Sequence, residues 1–515
     1  MANKPLATLN DFSRGINNKD APNLIPDNAL VDAQNVILGR GYASKRHGYI
    51  RYTTGLGAGS SITKLYNFYR NNGTSELLAV NSLSLKKVNA GSLSTIPSTP
   101  TFLKSNDVQM ITYKNRNIDD VVLLADTGKL KVYNGTDIKE VSPHIPEDTS
   151  SGGGGNEIAD PGANDLISLT NFRALAIKKD RIFAAAHPTV KNRVSFCYHD
   201  PFIGYAVYDY WPATHFIDIA PDENDEIVEL KVFRDALLIF CKRSVWLLSG
   251  DGINLTDYQL TRVNVPTGCV SPKSVQMVGN EVFYMSDDHV YSLYSTDQNY
   301  ISAKVVSESI EETINKYSYS DRQKAVGHTF ENRYYLSFPD SSCLVFDVLL
   351  GSWVRWTNVK ANSFLTKDGE LYFSTDAGHI QRFLKTIFHD DGNAIDFYIK
   401  TKIFDFKYPV NKKKFKRLWL IVKQYDGFKS SYAIQSFIDF FQTIDTGIIE
   451  TSINEGAVWD ESDWDNIDWD FAELLQMELK MGKKGKNVQF MISNNNLNEP
   501  LTVFGLTVEF KLKNA

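Results

Sequence analysis

Along most of this chain, hydrophobic and polar residues alternate in short bursts separated by small polar turns. From about residue 60 one arrangement recurs: an alternating strand, a turn of Ser, Asp, Asn or Gly, and a second alternating strand. The copies read LLAVNSLSLKKV (77–88), VVLLADTGKLKVY (121–133), ALLIFCKRSVWLL (236–248), EVFYMSDDHVYSL (281–293), YYLSFPDSSCLVF (334–346) and ELYFSTDAGHIQRF (370–383). A weaker copy, FRALAIKKDRIFAAAH, covers 172–187, and several copies follow a further strand such as ITKLYNFYR or EIVELKVF. The spacing centres near about 45 residues, the length of a four-stranded propeller blade. One such unit cannot bury both faces of its sheet, but neighbours set around an axis bury them for each other. The pattern therefore predicts an all-β chain with a β-propeller of about six to eight blades over residues 56–390.

The flanks read differently. Residues 1–55 carry little strand pattern and are expected to form an N-terminal arm. Within it, IPDNALVDAQNV predicts a helix start, with Asp27 as N-cap after Pro26. SESIEETINKY (307–317) predicts one short helix with Ile310 and Ile314 on the same face. SPHIPEDTSSGGGGNEIADPGAND (142–165) is rich in Gly, Ser and Pro and is expected to be a flexible excursion. Beyond residue 390 the alternating strands lengthen: DFYIKTKIFDF, RLWLIVKQYD, YAIQSFIDFF, NVQFMISNN and PLTVFGLTVEFKLK. They predict a C-terminal β-sandwich over 391–515.

Composition narrows the function classes. The 515 residues carry a formal charge of −6, which argues against general nucleic-acid affinity. The four cysteines form no CxxC pair and are expected to be buried free thiols. The N-terminal residues lack the apolar stretch of a secretory leader, and no apolar run reaches the ~18 residues of a membrane span. Synthesis in a cytoplasm is the expectation.

No motif for catalysis, cofactor or metal binding emerges. The Gly152–Gly155 run lacks the Gly-Lys-Ser/Thr of a phosphate loop. His187, His199 and His215 are the nearest approach to a histidine cluster and are expected to act separately. STDAGH (374–379) resembles part of the Asp-box turn of sialidase-type propellers, with Gln381 at the aromatic position, and an Asp-box carries no chemistry. WDESDWDNIDWD places Trp459, Trp464 and Trp469 at five-residue intervals, each followed by an acid: Asp460, Asp465 and Asp470. This acidic loop could meet the basic run Lys412, Lys413, Lys414, Lys416 and Arg417, in the same domain or on a neighbouring chain.

The segment DFSRGINNKDAPNLIPDNALVDAQNVILGRGYASKRHGYIRY (11–52) supplies the functional expectation. Its Gly15-Ile16-Asn17, its IPDNAL followed by Asn35, and its phrase Gly41, Lys45, Arg46, Gly48, Tyr49 resemble the N-terminal signature of tailed-phage virion proteins. These are the tail-nozzle and tail-hub proteins of the tail tubular protein B type and the related DNA-stabilisation plugs. Many relatives have Pro where this chain has His47. GCVSPKSVQMVGNEVFYMSDDHVYSL (268–293) looks like that family's mid-propeller blade, and 400–420 with the Trp-Asp string resembles its C-terminal sandwich. The resemblance implies a structural virion protein rather than an enzyme. It would form a homo-oligomeric ring, commonly a hexamer, stacked against portal-adaptor and tail-tip or fibre proteins, with double-stranded DNA passing non-specifically through the ring. On that reading Arg40, Tyr42, Lys45, Arg46, Tyr49 and Arg51 form a junction with a subunit or adaptor, and Lys412–Arg417 a second inter-subunit or DNA-proximal patch. The alternatives are a carbohydrate- or receptor-binding propeller at the tail tip and a glycosidase-type propeller.

Overall fold

A computed structural model describes residues 5–53, 60–97, 103–114, 119–142, 147–148, 156–157, 169–198, 208–220, 223–252, 257–297, 300–440, 442–451 and 474–513. Within them the recurring strand pairs fold into the seven blades of a β-propeller, five as separate four-stranded antiparallel sheets and the sixth and seventh as four-stranded parts of a nine-stranded and a six-stranded sheet. Blade 1 runs from Ile62 to Thr95, blade 2 from Gln109 to Glu140, and blade 3 from Ala174 to Asp218. Blades 4, 5 and 6 run from Ile227 to Arg262, Gln276 to Val305 and Val326 to Thr357. The weak sequence copy at 172–187 is blade 3, whose inner strands are built largely from Ala174, Ala176, Ala184 and Ala185.

The second strand of a blade lies between its neighbours, so both of its faces are covered. That is why these strands read as unbroken apolar runs: Val121–Ala125 and Leu237–Cys241 are wholly buried. In blades 3 and 6 the first two strands turn through tight hairpins with two successive left-handed residues. Lys179 and Asp180 (φ 47° and 60°) do this in blade 3, and Glu331 and Asn332 (48° and 57°) in blade 6.

The seventh blade is incomplete in its own stretch of chain. It has Ser363–Lys367, Glu370–Ser374 and Ile380–Phe383, and its outer strand is Tyr49–Arg51 from the arm, paired antiparallel as Gln381↔Arg51, Arg382↔Ile50 and Phe383↔Tyr49. The N-terminal segment thus closes the ring, and Ile62, Leu65, Tyr372 and Ile380 pack where blades 1 and 7 meet.

The C-terminal residues form a β-sandwich of long strands. One sheet has the order Val36–Gly39, Tyr42–Lys45, Thr502–Leu512, Lys413–Lys423, Leu474–Gly485, with Leu6–Leu9 also on Thr502–Leu512. The other has Phe397–Thr401, Val488–Asn494, Ser431–Ile438 and Gln442–Glu450, and it does not stop there. Leu30–Gln34 pairs antiparallel with Phe397–Thr401 and parallel, at Gln34↔Arg355, with the last strand of blade 6. Blade 6, the arm and the sandwich share one nine-stranded sheet. One continuous buried cluster runs through blades 5 to 7, the arm and the sandwich, from Phe12, Leu30 and Val36 to Phe283, Tyr334 and Trp353, and on to Leu418, Phe490 and Val503.

Two local expectations need comment. IPDNALVDAQNV does not start a helix: Leu30–Gln34 is a strand. Strands wait on both sides of it, and tertiary pairing outweighs the local capping signal. The 307–317 stretch is helical as a short 3-10 turn, Glu308–Ile310, running into Glu311–Asn315, with Ile310 and Ile314 both buried. Apart from the paired Glu147–Asp148 and Asn156–Glu157, nearly all of the 142–165 excursion lies outside the described residues.

Candidate functional site

The arm residues singled out by sequence meet partners inside their own chain. Gly15 has φ +61°, and a Cβ there would sit 2.5 Å from the Trp353 carbonyl oxygen. That close approach lets Ile16 N–H donate to Trp353 O (2.9 Å) and Asn17 N–H to Leu30 O (2.9 Å), which seats the arm on blade 6. Asn35, also left-handed (φ 55°), sits between the propeller and the sandwich. Its amide donates to Thr357 Oγ1 (2.8 Å) and Asp396 O (2.7 Å), and its Oδ1 accepts from Thr357 N–H (2.8 Å).

Arg46 is the hub of this network and is fully buried. Its guanidinium donates to Asn35 Oδ1 (2.9 Å), His47 O (3.0 Å), Thr357 O (2.9 Å) and both oxygens of Asp390 (2.8 and 2.5 Å), with the Trp356 ring 5.5 Å away. The two-oxygen pairing matches the rigid fork of a guanidinium to a carboxylate. Lys45 is buried too, and its ammonium donates to Asn494 Oδ1 (2.8 Å) and Asn496 O (3.1 Å) of the sandwich. Burial pushes its pKa down to about 8, partly offset by Glu499. Tyr49 donates to Asn358 O (2.7 Å) and stands edge-on to Phe373 and Phe383.

The expectation that Lys45, Arg46 and Tyr49 reach a neighbouring subunit is therefore corrected: the chain consumes all three side chains internally. Arg40 is exposed, and Tyr42 is half-buried beside Phe504. Arg51 is exposed and paired with Asp391 (2.8 Å). Asp390, Asn35 and Asn494 are the partners that sequence reading missed. The only signal for them was a pair of cations, Lys45 and Arg46, inserted between positions of strand character.

The C-terminal basic run also divides. Lys413 is fully buried, and its ammonium donates to the carbonyls of Tyr408, Asn411 and Lys486, so it leaves the proposed patch. Arg417 pairs with Glu478 and Glu509. Lys412, Lys414 and Lys416 face outward to differing degrees, and strand register adds members from elsewhere in the chain. Lys414 lies directly opposite Lys484 on one side and Lys511 on the other. Lys513 sits in the same field: Lys484, Lys414 and Lys412 hold its pKa below the usual lysine value. Like charges directly opposite each other on a sheet are destabilising. The row sets three lysines side by side across adjacent strands. The Trp-Asp residues Trp459, Asp460, Trp464, Asp465, Trp469 and Asp470 lie outside the described residues.

The propeller axis holds a cavity of about 760 Å³ lined by the first strands of all seven blades. Gln109 from blade 2 links two other blades. It accepts from Leu175 N–H (3.0 Å) and donates to Leu175 O (3.3 Å) in blade 3 and to Glu229 Oε1 (3.1 Å) in blade 4. Burial raises the Glu229 pKa to about 7. Burial also lowers Lys64 to about 8, with Lys273 adding to the effect, and lowers Lys231. His328 shares a 2.8 Å hydrogen bond with Thr366 and stacks on Phe364. Its pKa falls to about 4 through burial, reinforced by Lys64 and Lys231.

The remaining candidates stay apart. His187 is held by Thr189, and His215 stacks against Phe196 and Tyr198, where burial takes its pKa to about 4. His199 is outside the described residues. No group of three or more His, Cys, Asp or Glu converges among the described residues. All four cysteines are free and buried. Among the described residues no helix is long and apolar enough to cross a membrane.

The fold and its axial cavity define a β-propeller fused to a β-sandwich. No family model matches the chain, and no curated protein does. Similar solved structures include BamB from Moraxella catarrhalis, with 10% identity over 63% of this chain and 83% of that one and a TM-score of 0.36. BBS1N in complex with ARL6DN is 10% identical over 66% of this chain and 98% of that one, with a TM-score of 0.40. A computationally designed protein is 13% identical over 65% and 99% of the two chains, with a TM-score of 0.36. The propeller assignment rests on this chain's own sheets.

Proposed function

We propose that this chain is a structural virion protein of a phage tail, a nozzle or hub subunit whose ring forms part of the DNA exit conduit, retains the genome and releases it on infection. The observation that carries the reading is the arm. The residues that resemble the tail-nozzle signature (Gly15-Ile16-Asn17, Asn35, and Lys45, Arg46, Gly48, Tyr49) are the ones that close blade 7 and tie blade 6 to the sandwich. A signature devoted to holding two β-units in one orientation suits a wall element, which must transmit load without hinging. The net charge of −6 suits a conduit that does not grip DNA, because each added phosphate contact would raise affinity by counterion release and slow sliding. Subunit junctions then fall to surfaces the chain leaves at least partly open: Arg40, the free edge of Tyr42 and the row Lys412, Lys414, Lys484, Lys511.

Cryo-electron microscopy of purified particles that carry the chain tests this. The expected result is a closed ring of copies around the DNA path, most simply a hexamer, with seven-bladed density in every copy. A chain recovered only from the soluble fraction, or density for a lone subunit remote from the DNA path, overturns it. Saturable glycan binding by a propeller face at the tail tip would turn the reading towards receptor recognition.

A further inference from the structure

We propose that the axial cavity of the propeller is a binding site for a small organic anion bearing carboxylate or phosphate groups, held between Lys64 of blade 1 and Lys231 of blade 4. The cavity of about 760 Å³ is of the size that takes a small-molecule ligand. Its walls mix apolar side chains, among them Leu65, Ile111 and Phe364, with a few polar groups.

What singles it out is how its charges are committed. Lys273 is paired with Asp107 (3.3 Å), and Lys242 with Glu226 (2.9 Å). The Glu229 carboxylate is engaged by Gln109 and by Leu230 N–H. Lys64 and Lys231 have neither an ion pair nor a hydrogen bond among the described residues, though both line the cavity on strands from opposite sides of the ring. Lys231 adds to the depression of Lys64, Glu229 attracts both ammonium groups without a direct ion pair to either, and both lysines repel His328. Two ammonium groups held unpaired in a partly desolvated space cost free energy that an apolar residue on either strand would have avoided. An anion between them removes that cost and leaves Glu229 in place as a discriminator against ligands without enough negative charge to outbid it.

The pH dependence follows from every group facing the pair. Lys64 titrates near 8, and a bound anion draws its proton back on. Glu229 loses its charge below about 7 and then no longer opposes the anion. Asp107 stays committed to Lys273, and His328, near 4, remains neutral throughout. Binding therefore tightens as pH falls through this range, with proton uptake.

The test is calorimetric titration of the intact chain with inorganic phosphate and, separately, citrate, at constant ionic strength near about pH 6.5 and about pH 8.5. Saturable binding of either probe is expected, and for citrate, which keeps most of its charge across this range, it is about tenfold tighter at the lower pH. The K64M/K231M variant, which replaces ammonium by a side chain of similar length, should lose at least about tenfold in affinity and its ligand-induced rise in melting temperature. The surface variant K412M/K414M should keep both. No saturable binding of either probe by the wild-type chain overturns the proposal. So does unchanged affinity in K64M/K231M, or an equal loss in the surface variant. A melting scan without ligand shows whether K64M/K231M is folded. If it is not, the single variants K64M and K231M carry the comparison.

Discussion

Replacing Arg46 with Met isolates what the arm contributes to the body of the protein. The guanidinium is fully buried and makes five hydrogen bonds, two of them to Asp390, whose side chain is 1% exposed. Arg46→Met leaves that carboxylate buried without its counter-charge, a change worth about 3–5 kcal/mol. Asn35 Oδ1 keeps Thr357 N–H as a donor, so the loss there is small. The Thr357 and His47 carbonyls lose a charged donor each, which places the total at the upper part of that range, about 4–5 kcal/mol. Removing both charges in R46M/D390L leaves no unpaired ion, and it should recover at least about 2 kcal/mol over R46M alone, because an apolar pair substitutes well for a buried ion pair. Equilibrium urea unfolding, followed by tryptophan fluorescence and by far-ultraviolet circular dichroism, measures both variants. The reasoning is refuted if R46M lies within about 1 kcal/mol of wild type, or if the double variant loses the sum of the two single losses.

Further outcomes follow from other contacts. Lys45, depressed to about 8 from 10.5, is protonated in both states below pH 8 but only in the unfolded chain between the two values. Its contribution to stability therefore rises with pH across that window, by up to about 3 kcal/mol, and a pH series of urea midpoints for K45M should lack that rise. Gly48→Ala would place a methyl group 1.9 Å from the His389 carbonyl oxygen, so the strand Tyr49–Arg51 must shift. A loss of about 2 kcal/mol or more, read as a lower melting temperature, is expected, and a neutral result contradicts the closure of blade 7. Lys414→Glu converts two like-charge cross-strand pairs into attractive ones and should stabilise the isolated chain by about 0.2–1 kcal/mol. In the ring proposed here the same change should impair assembly, which sedimentation velocity with partner tail proteins would detect.

The blades were legible because period-2 alternation and polar turns act within a few residues. Six of the seven stood out, and blade 3 was faint because alanine fills its inner strands where other blades use larger residues. The long C-terminal strands were legible for the same reason, although Gln442–Glu450 and Leu474–Gly485 were not anticipated. The arm was not legible. Leu30–Gln34 has the local chemistry of a helix start and becomes a strand only because blade 6 and Phe397–Thr401 flank it, and both lie more than 300 residues away. Lys45 and Arg46 looked like surface cations because nothing local announces Asp390 or Asn494. Charge reversal at these two positions is expected to unfold the body rather than to unlatch a junction. The axial cavity was equally hidden, since Lys64, Gln109 and Glu229 meet only after the ring has closed.

Hydrogen–deuterium exchange on the intact chain tests the central claim most directly: residues 15–51 weld propeller and sandwich into one body. Amides of Leu30–Gln34 and Tyr49–Arg51 should exchange as slowly as those of Ser352–Thr357 and Phe397–Thr401, and all four should speed up together in R46M. Fast exchange in the arm strands beside fully protected blades would contradict it.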